Sequence, residues 1–356
     1  MTDGRSAAAS SGRPNGAVLV CGGAGYIGSH VVRMLVDAGR KPVVLDDLST
    51  GHRASLPEGV QLIDGSIGDK AVLASAFASH AVAAVMHFCA NAYVGESVED
   101  PRKYYRNNIA NGLSLLEAML DAGVGNIVFS SSCTVYGHPE RVPIDESCRI
   151  GPISPYGRTK AIFEQVLGDF GRAYGLRSAS LRYFNAAGAM PDGSIGEDHD
   201  PETHLIPLVL RRALRVARPE ACEGGCAEPL EVFGDDYDTR DGTCVRDYVH
   251  VLDLGSAHLL ALDHLLAGGE SIAVNLANGA GFSVREVIDA CQRITGVEIP
   301  FHIAPRRPGD PAELVGSADL AARLLGWQPR YTDIDAIIET AWKWHSRNPA
   351  GFSDHL

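Results

Sequence analysis

The feature that most constrains the fold is a glycine-rich stretch between an apolar run and a helical segment. Ala17–Cys21 is a continuous apolar run of the kind that forms a buried parallel strand. Before a helical pattern over residues 29–38, three spaced glycines follow: Gly22, Gly25 and Gly28. Glycines at these positions allow a tight turn, close approach of the backbone to a pyrophosphate at the helix N-terminus, and close packing of the helix on the sheet. The stretch therefore predicts a dinucleotide-binding loop.

A second apolar strand follows the helix and ends in two acids. Residues 42–45 run directly into Asp46 and Asp47, about twenty residues past the loop. A carboxylate at this position can accept hydrogen bonds from the diol of an adenosine ribose, and it repels a 2′-phosphate. A glycine loop alone is a weak signal, but the order of strand, glycines, helix, strand and acid is specific. It predicts that the chain binds NAD rather than NADP.

Strand and helix patterns continue to alternate along the chain. The strand-like segments are 60–64, 84–87, 126–129 and 178–182, and the helical segments are 70–79, 101–122 and 156–174. This alternation predicts an α/β fold with a doubly wound parallel sheet of the Rossmann type. The carboxyl ends of parallel strands share one edge, so we expect Phe88 and the serines at 130–132 to face the same crevice as the glycine loop.

The regular alternation stops after Asn185, where a segment rich in Gly, Pro, Asp and His begins. Further on, helices are predicted over 205–217 and 251–267, and strands over 230–233 and 272–275, the last able to return to the sheet. We therefore expect a smaller C-terminal substrate-binding α/β domain. The predicted division is a flexible tail over 1–15, an NAD-binding domain over 16–185 joined by 240–276, and a substrate domain formed by 186–239 and 277–356.

A tyrosine and a lysine lie one helical turn apart in the segment Ser154-Pro155-Tyr156-Gly157-Arg158-Thr159-Lys160. Once a helix begins after the proline, Tyr156 and Lys160 project from one face. A lysine charge close to a phenol favours the phenolate and lowers its pKa, so Tyr156 could take a proton from an alcohol. Ser132, which closes the preceding strand, could hydrogen-bond to the same oxygen. The bare Tyr-x-x-x-Lys pattern is more often simple packing, but beside a hydride acceptor it predicts oxidation of an alcohol.

Composition and charge argue against several other classes of protein. The chain has 356 residues, of which 45% are hydrophobic and 21% charged, as in ordinary globular proteins. Its net charge of −13 argues against a nucleic-acid or anionic-membrane partner. It contains no apolar run of the roughly 18 residues that a membrane span needs, and residues 1–16 lack the apolar centre of a signal peptide.

The cysteine pattern favours a reducing compartment, and we expect a cytoplasmic protein. The eight cysteines are scattered along a chain large enough to fold without disulfides: Cys21, Cys89, Cys133, Cys148, Cys222, Cys226, Cys244 and Cys291. Only Cys222 and Cys226 are close in sequence. No second Cys or His pair follows them at zinc-finger spacing, so a surface loop is favoured there and no metal site is expected.

Two sets of polar residues allow more than one interpretation. Asn107 and Asn108 lie inside an otherwise apolar helix, where they either meet solvent and cap a turn or support the cofactor-side loops. Arg246 and Arg307 are candidates to clamp a diphosphate with paired hydrogen bonds, whereas Arg306 can be merely solvated.

Taken together, these residues resemble the UDP-galactose 4-epimerases of the extended short-chain dehydrogenase/reductase superfamily. The resemblance covers nearly everything from residue 18 to residue 352. The motifs that carry it are Gly22-Gly23-Ala24-Gly25-Tyr26-Ile27-Gly28-Ser29-His30, Val94-Gly95-Glu96-Ser97, Ser130-Ser131-Ser132-Cys133-Thr134-Val135-Tyr136-Gly137, Ser154-Pro155-Tyr156-Gly157, Leu181-Arg182-Tyr183-Phe184-Asn185, Asp241-Gly242-Thr243-Cys244-Val245-Arg246-Asp247-Tyr248 and Ala304-Pro305-Arg306-Arg307-Pro308-Gly309-Asp310.

The resemblance implies a homodimeric isomerase with tightly bound NAD that inverts C4 of a UDP-hexose through a 4-keto sugar and return of the hydride. It implies Tyr156 as the base, Lys160 on the nicotinamide ribose, and Ser132 or Thr134 on the sugar 4-oxygen. NAD contacts are implied at Gly22, Gly25, Tyr26, Ile27, Gly28, Asp46, Asp47, Ser66, Ile67, Phe88, Asn107, Tyr156, Lys160 and Tyr183. Contacts to the UDP-sugar are implied at Asn185, His204, Leu205, Phe233, Arg246, Arg307, Asp310 and Leu314.

At four positions the chain departs from the pattern of that family. Ser66 replaces an Asp at the adenine edge and Ala92 replaces a Lys near the cofactor, which predicts weaker retention of NAD. His204 replaces an Asn that faces the diphosphate, which predicts a pH-dependent contact. Leu314 replaces a Tyr that closes the sugar pocket in some members, so an N-acetylated hexose or a pentose could fit.

The sequence pattern is compatible in part with several other functions. A nucleotide-sugar 4,6-dehydratase uses an Asp-Glu acid/base pair where this chain has Cys133 and Thr134, so elimination of water lacks its groups. A UDP-glucuronate decarboxylase is a second rival, which the resemblance over nearly the full length disfavours. A 4-epimerase of another UDP-sugar, such as UDP-xylose or UDP-glucuronate, is an alternative with the same chemistry. A catalytically inactive NAD- and UDP-sugar-binding protein is the alternative from another class, and the presence of Ser132, Tyr156 and Lys160 together argues against it.

Overall fold

The structure is a computed structural model that describes residues 16–217, 229–307 and 309–352. The Cys222 to Cys226 loop lies outside these residues. None of the helices in the described ranges combines the length and the hydropathy that a membrane span requires.

Strands and helices alternate through the first half of the described chain. The strands are β1 (Ala17–Cys21), β2 (Pro42–Asp46), β3 (Gln61–Asp64), β4 (Val82–His87), β5 (Asn126–Ser132), β6 (Arg177–Tyr183), β7 (Asn185–Ala187), β8 (Leu230–Phe233), β9 (Val245–Arg246), β10 (Tyr248–His250), β11 (Ile272–Leu276), β12 (Phe282–Ser283), β13 (Phe301–Ala304) and β14 (Glu313–Leu314). The α-helices are α1 (Tyr26–Asp37), α2 (Lys70–Ser79), α3 (Val94–Glu99), α4 (Pro101–Tyr104), α5 (Gly112–Asp121), α6 (Pro155–Tyr174), α7 (Leu205–Ala217), α8 (Val251–Leu266), α9 (Val284–Thr295), α10 (Asp319–Leu325) and α11 (Ile334–Arg347).

The central sheet has seven strands in the order β11-β6-β5-β4-β1-β2-β3. Every neighbouring pair in it is parallel, and β11 lies beside β6 at the edge. The reversal of strand order beside β1 is the switch point at which doubly wound sheets bind nucleotides. The predicted fold class is therefore confirmed.

Both faces of this sheet are covered by helices. Because side chains of a strand alternate between faces, Val18 and Val20 pack with α1 and α8, whereas Leu19 and Cys21 pack with α2, α5 and α6. All four of these side chains are at most 1% exposed. Burial on both faces explains why β1 reads as an uninterrupted apolar run.

A separate apolar cluster forms beyond the sheet. The inner faces of α7, α9 and α11 meet there, with Val209, Val287 and Ile337 fully buried among them. The short parallel pair of β8 and β13 packs beside these helices. These elements form a second apolar core, and several of the predicted substrate residues lie beside it.

The predicted helix over 101–122 is interrupted in the structure. Between α4 and α5, residues Tyr105–Asn111 form a π-helix, whose wider turn is uncommon and recurs at functional sites. Asn108 lies in this turn with 5% of its surface exposed. Sequence periodicity could not show the change of turn, because the apolar spacing on both sides continues.

Candidate active site

The glycine loop forms a close-packed turn at the carboxyl end of β1. Gly22 has a φ of 79°, and its N–H donates to the carbonyl of Leu45 at 2.9 Å. A Cβ atom at Gly28 would lie 2.1 Å from the carbonyl oxygen of Gly22, so a side chain there cannot be accommodated. Gly25 precedes α1 without a side-chain cap, which leaves the backbone N–H groups of the first turn for an anion.

Asp46 joins the end of β2 to this loop. Its Oδ2 accepts from the N–H of Ala24 and its Oδ1 from the N–H of Leu48, both at 2.9 Å. Burial raises the pKa of this carboxyl, and these hydrogen bonds oppose the rise. Each oxygen retains a lone pair for a ribose hydroxyl. Asp47 is exposed and accepts from the N–H of Ser49 at 3.1 Å.

The other predicted cofactor residues follow the neighbouring strands. Ile67 is buried after β3, beside Ser66, whose hydroxyl accepts from the N–H of Gly68 at 3.2 Å. Phe88 follows β4 and packs on the His258 ring at a centroid distance of 4.8 Å. All of these positions lie at the carboxyl edge of the sheet, as does the start of α1.

The remaining cofactor candidates make polar contacts within the protein. The hydroxyl of Tyr26 donates to the carbonyl of Gly188 at 2.7 Å. Asn107 donates from Nδ2 to Oδ1 of Asn108 at 3.1 Å. Ile27, in the first turn of α1, packs beneath the loop against the apolar core.

Helix α6 presents Tyr156 and Lys160 to the same edge. Ser154 caps the helix by accepting from the N–H of Gly157 at 3.1 Å, and Pro155 occupies its first position. Tyr156 is 8% exposed and Lys160 3% exposed. The Lys160 ammonium lies 5.7 Å from the centre of the Tyr156 ring and donates to the carbonyl of Ser130 at 2.6 Å.

Desolvation dominates the ionisation of this pair. Burial raises the pKa of Tyr156, the neighbouring Tyr183 adds to the rise, and a hydrogen bond with Ser132 opposes it. Burial lowers the pKa of Lys160 to about 7. Burial is the largest contribution for both groups, so the neutral forms of Tyr156 and Lys160 are favoured, and the lowering of the Tyr156 pKa by the lysine charge stays a prediction.

Ser132 is the last residue of β5. Its hydroxyl accepts from the N–H of Thr134 at 3.2 Å and from the Thr134 hydroxyl at 3.0 Å. Thr134 therefore orients Ser132, whose hydroxyl opposes the rise in the pKa of Tyr156. Two residues earlier on the same face of the strand, Ser130 is hydrogen-bonded to the hydroxyl of Tyr183.

Two sets of contacts that support the site were predicted from the sequence only partly or not at all. Asn108 donates to the Asn91 carbonyl at 3.1 Å and to the Thr159 hydroxyl at 3.0 Å, which joins the loop after β4 to α6. Its alternative role as a support for the cofactor-side loops is thus the one observed. Glu164 pairs with Arg182 at 2.6 Å in a buried site. The only sequence signal for this pair was an arginine within a strand pattern.

Most of the predicted substrate residues line one cavity of about 370 Å³. The guanidinium of Arg307 lies 3.9 Å from the centre of the Phe233 ring, and Arg246 is paired with Asp310. Asn185 donates from Nδ2 to the Asp247 carbonyl at 3.0 Å. The cavity therefore offers aromatic and cationic surfaces together, and its predicted lining residues are Asn185, His204, Leu205, Phe233, Arg246, Arg307 and Asp310.

Leu314 does not line this cavity. It lies in β14 opposite Arg246 and packs against the cluster that contains Cys133 and Phe184. Cys133 directly follows Ser132. Leu314 thus lies between the cavity and the tyrosine and serine that we expect to act on the sugar.

His204 differs from expectation in its electrostatics. Its Nδ1 lies 2.8 Å from Oε1 of Glu197 and 3.2 Å from Oε1 of Glu202. Desolvation lowers the pKa of His204, but the carboxylates of Glu197 and Glu202 raise it by more, to about 10. The predicted change of charge near neutral pH is therefore contradicted, because the histidine faces carboxylates.

The chain is similar to a group of sugar-nucleotide enzymes over nearly its full length. The model of the NAD dependent epimerase/dehydratase family matches residues 18–277. The UDP-glucose 4-epimerase of Rhizobium meliloti is 52% identical over 339 residues, which cover 95% of this chain and 99% of that protein.

Solved structures of the same kind superpose closely. A crystal structure of UDP-glucose 4-epimerase from Brucella ovis in complex with NAD has a TM-score of 0.86 and 50% identity, and covers 91% of this chain and 97% of that one. The UDP-glucose 4-epimerase from Bifidobacterium longum in complex with NAD⁺ and UDP has a TM-score of 0.87 and 37% identity, and covers 94% and 100%.

Proposed function

We propose, from the premise that this chain belongs to the NAD dependent epimerase/dehydratase family, that it is an isomerase that interconverts UDP-glucose and UDP-galactose at C4 of the hexose. Two UDP-glucose 4-epimerases are 49% and 52% identical to this chain. Each alignment covers 95% of this chain and nearly all of the relative. The observation that carries the proposal in the structure is the placement of Tyr156, Ser132 and Lys160 together at the carboxyl edge of the sheet.

The residues at the switch point fit NAD. The backbone turn at Gly22 and Gly28 leaves no space for a side chain, and the uncapped start of α1 suits a pyrophosphate. Asp46 has acceptor capacity for a ribose diol and would repel a 2′-phosphate. When bound, NAD supplies a reversible hydride acceptor with a positively charged nicotinamide ring.

Tyr156 acts as the base that takes the proton of the sugar 4-hydroxyl. Its phenolate is costly in the buried site, so it depends on nearby positive charge and on the hydrogen bond with Ser132. Ser132 holds the same sugar oxygen in place, and Thr134 fixes the rotamer of Ser132. Lys160 is held to β5 and contributes its charge to the site when protonated. Once a hydride has returned to the opposite face of C4, Tyr156 gives the proton back to the 4-oxygen, so the reaction causes no net change of oxidation state.

The lined cavity holds the UDP part of the substrate. Phe233 offers an aromatic face for the uracil, and Arg246 and Arg307 offer guanidinium groups for the diphosphate. Asp310 keeps Arg246 oriented. Because these contacts lie outside the tyrosine and serine, the nucleotide can stay bound while the 4-keto sugar turns and presents its other face.

The sugar range extends to N-acetylated hexoses. Leu314 is smaller than a tyrosine and lies between the cavity and Cys133, where an N-acetyl group would need room. A UDP-pentose or UDP-glucuronate would also fit beside Leu314. These two sugars are therefore the alternative substrates to compare in the same assay.

The assembly and the compartment are further parts of the proposal. A homodimer is supported by exposed apolar side chains, such as Val98 at 64% and Ile153 at 49%, which a partner would cover. A cytoplasmic location is supported by the free state of the six cysteines described. The division into an NAD-binding part and a UDP-sugar-binding part follows the separate apolar clusters on the sheet and around α7.

The experiment is an NMR assay of purified protein with UDP-galactose and no added NAD. We expect UDP-glucose to accumulate to equilibrium, and UDP-N-acetylgalactosamine to be converted in parallel. Conversion that starts only after NAD is added would support the function and show that Ser66 and Ala92 weaken cofactor retention. No conversion of either sugar with NAD present would overturn the proposal and make the pentose and the uronate the next substrates.

A further inference from the structure

Four side chains that can ligate a metal converge in the loop that leads into α7. Glu197, His199, Glu202 and His204 each offer one ligand atom, and these atoms all lie within 4.8 Å of one another. No metal site was predicted from the sequence, because only the cysteines suggested one. Two histidines five residues apart, each two residues after a glutamate, were the signal that could have found it.

Three of the four ligand atoms are buried without a hydrogen bond to the described residues, whereas Nδ1 of His204, whose side chain is 44% exposed, is hydrogen-bonded to Oε1 of Glu202 at 3.2 Å. Glu197 is 4% exposed and the side chain of Glu202 2% exposed. Within the described residues, Oε1 of Glu197, Nδ1 of His199 and Oε2 of Glu202 make no aligned hydrogen bond. Nδ1 of His199 lies 3.2 Å and Nδ1 of His204 2.8 Å from Oε1 of Glu197, which is ion-pair distance without hydrogen-bond geometry. Buried carboxylates are costly unless a positive charge compensates them, and here that charge is either the protonated His204 or a bound metal ion in its place.

Among the described residues, the guanidinium of Arg211 comes within ion-pair distance of this cluster. Arg211 is the nearest guanidinium, with Nη2 at 3.8 Å from Oε2 of Glu202, but it is shared with Oδ1 of Asp198 at 3.5 Å. The backbone N–H groups of Thr203 and His204 bind the other oxygen of Glu202, at 2.8 and 2.9 Å. These bonds fix the carboxylate and leave Oε2 directed at the cluster.

We propose that Glu197, His199, Glu202 and His204 bind one Zn²⁺ ion. Two imidazole nitrogens and two carboxylate oxygens form the mixed N/O set that Zn²⁺ accepts in a tetrahedral site, and two carboxylates balance its charge. Ca²⁺ and Mg²⁺ are poor fits because they take oxygen ligands. Binding requires the ligand atoms to close by about 1–1.5 Å, since Zn–N and Zn–O bonds of roughly 2 Å hold tetrahedral ligands near 3.3 Å apart.

The position of the cluster indicates what the ion does. His204 immediately precedes Leu205, the first residue of α7, which lines the cavity proposed for UDP. His199 packs edge-on against Tyr26 of the glycine loop, at a centroid distance of 6.1 Å. The ion therefore fixes the start of α7 relative to the cofactor loop, as a structural metal. A separate cavity of about 480 Å³, lined by Glu197 and His199, gives it a path from solvent.

Metal analysis of untagged protein, purified with its NAD and dialysed against trace Zn²⁺, tests the proposal. Elemental analysis should find about one zinc per chain in the wild type, and at least a tenfold lower content in His199→Ala and in Glu202→Gln. The matched control is His302→Ala, which removes an exposed histidine that lies 3.6 Å from Glu231 and should keep full zinc content. Wild-type protein without zinc, or variants that retain it, would overturn the proposal.

A measurement on the wild type does not depend on the folding of any variant. Protein loaded with Co²⁺ should show the visible bands of a tetrahedral site and no near-ultraviolet band from a thiolate. A thiolate band, or loss of the metal in a Cys222→Ser/Cys226→Ser variant, would assign the ion to that cysteine pair and refute the site described here. Chelation should lower Tm by several degrees in the wild type and in His302→Ala, since a bound ion stabilises the native state. An unchanged Tm in both would contradict the structural role.

Discussion

Lys160 donates a hydrogen bond from Nζ to the backbone carbonyl of Ser130 at 2.6 Å. This bond ties the catalytic face of α6 to β5, the strand that ends in Ser132. The ammonium also lies 4.9 Å from the centre of the Phe129 ring, within an apolar surrounding. The lysine is 3% exposed in this position, and burial lowers its pKa to about 7.

Replacing Lys160 with methionine should remove a pH dependence of stability. The pKa of Lys160 falls from the 10.5 of an unperturbed lysine to about 7 in the fold, so the unfolded chain holds an extra proton between these values. Stability of the wild type should then rise as pH rises from about 7 toward 10, and be lowest below 7. In urea unfolding of protein freed of NAD, Lys160→Met should gain roughly 2–4 kcal/mol over wild type at low pH and lose the slope.

Lys70→Met is the control for that experiment. Lys70 is exposed and paired with Glu117 at 2.9 Å, so its removal should leave the pH slope of the wild type in place. Parallel pH profiles of wild type and Lys160→Met would mean that the buried amine keeps its charge throughout, contrary to the lowered pKa.

Tyr156→Phe should abolish epimerisation while both ligands still bind. The ring is retained, so packing and the cavity are unchanged, but the group that accepts the sugar proton is gone. We expect kcat to fall by roughly 10²–10⁴-fold with little change in the Kd for UDP. Tyr104→Phe is a matched control, because that ring lies 6.5 Å from the Tyr156 ring but its hydroxyl binds Glu96 and a carbonyl. Equal values of kcat for Tyr156→Phe and wild type would show that Tyr156 is not the base.

Asn108→Ala should loosen the junction between the cofactor loop and α6. The change leaves the N–H and carbonyl of Asn91 and the Thr159 hydroxyl without their side-chain partner. We expect a loss of about 1–3 kcal/mol in the free energy of unfolding, together with a weaker hold on NAD. Asn111→Ala, which breaks only a 3.4 Å contact to Asn107, should cost less than about 1 kcal/mol. Similar losses in the two variants, measured by urea unfolding, would contradict the special role of Asn108.

Leu314→Tyr should narrow the range of sugars. The larger ring must extend from β14 toward the space beside Cys133, where the N-acetyl group would lie. Conversion of UDP-N-acetylgalactosamine should fall at least tenfold, while conversion of UDP-galactose changes little, because a clash with extra atoms affects only the larger substrate. Leu314→Met, similar in volume, is the control. An equal fall for both sugars would show that the residue supports folding rather than selection.

The sequence was sufficient for features that depend on local pattern. Apolar runs marked the buried strands, and α2 begins at the predicted residue because the Asp69 side chain caps it by accepting from the N–H groups of Ala71 and Val72. The glycine loop was recognised because its spacing is a requirement of backbone geometry. Short strands such as β9 and β14 were missed, since two residues carry no periodicity and pair only through tertiary contacts.

Ionisation and long-range polar contacts could not be derived in the same way. The pKa of Lys160 depends on burial by residues from several elements, and the cluster at Glu197 forms from the path of a loop. Polar residues in apolar patterns, such as Asn108 and Arg182, were visible signals, but their partners lie many residues away along the chain. The sequence pattern indicates that such a polar side chain needs a hydrogen-bond partner. The identity of that partner is seen only in the folded structure.

Arg246→Met should weaken nucleotide binding far more than a comparable change at Arg306. Arg246 is partly buried in the cavity and oriented by Asp310, so its loss removes charge-assisted bonds to the diphosphate worth about 1.5–3 kcal/mol, or roughly 10- to 150-fold in Kd. Arg306 is exposed, pairs with Asp236 and lies over the Tyr237 ring, outside the cavity lining. Titration calorimetry with UDP should therefore show less than about a twofold change for Arg306→Met. Equal weakening by both variants would mean that general positive charge, and not a placed guanidinium, binds the diphosphate.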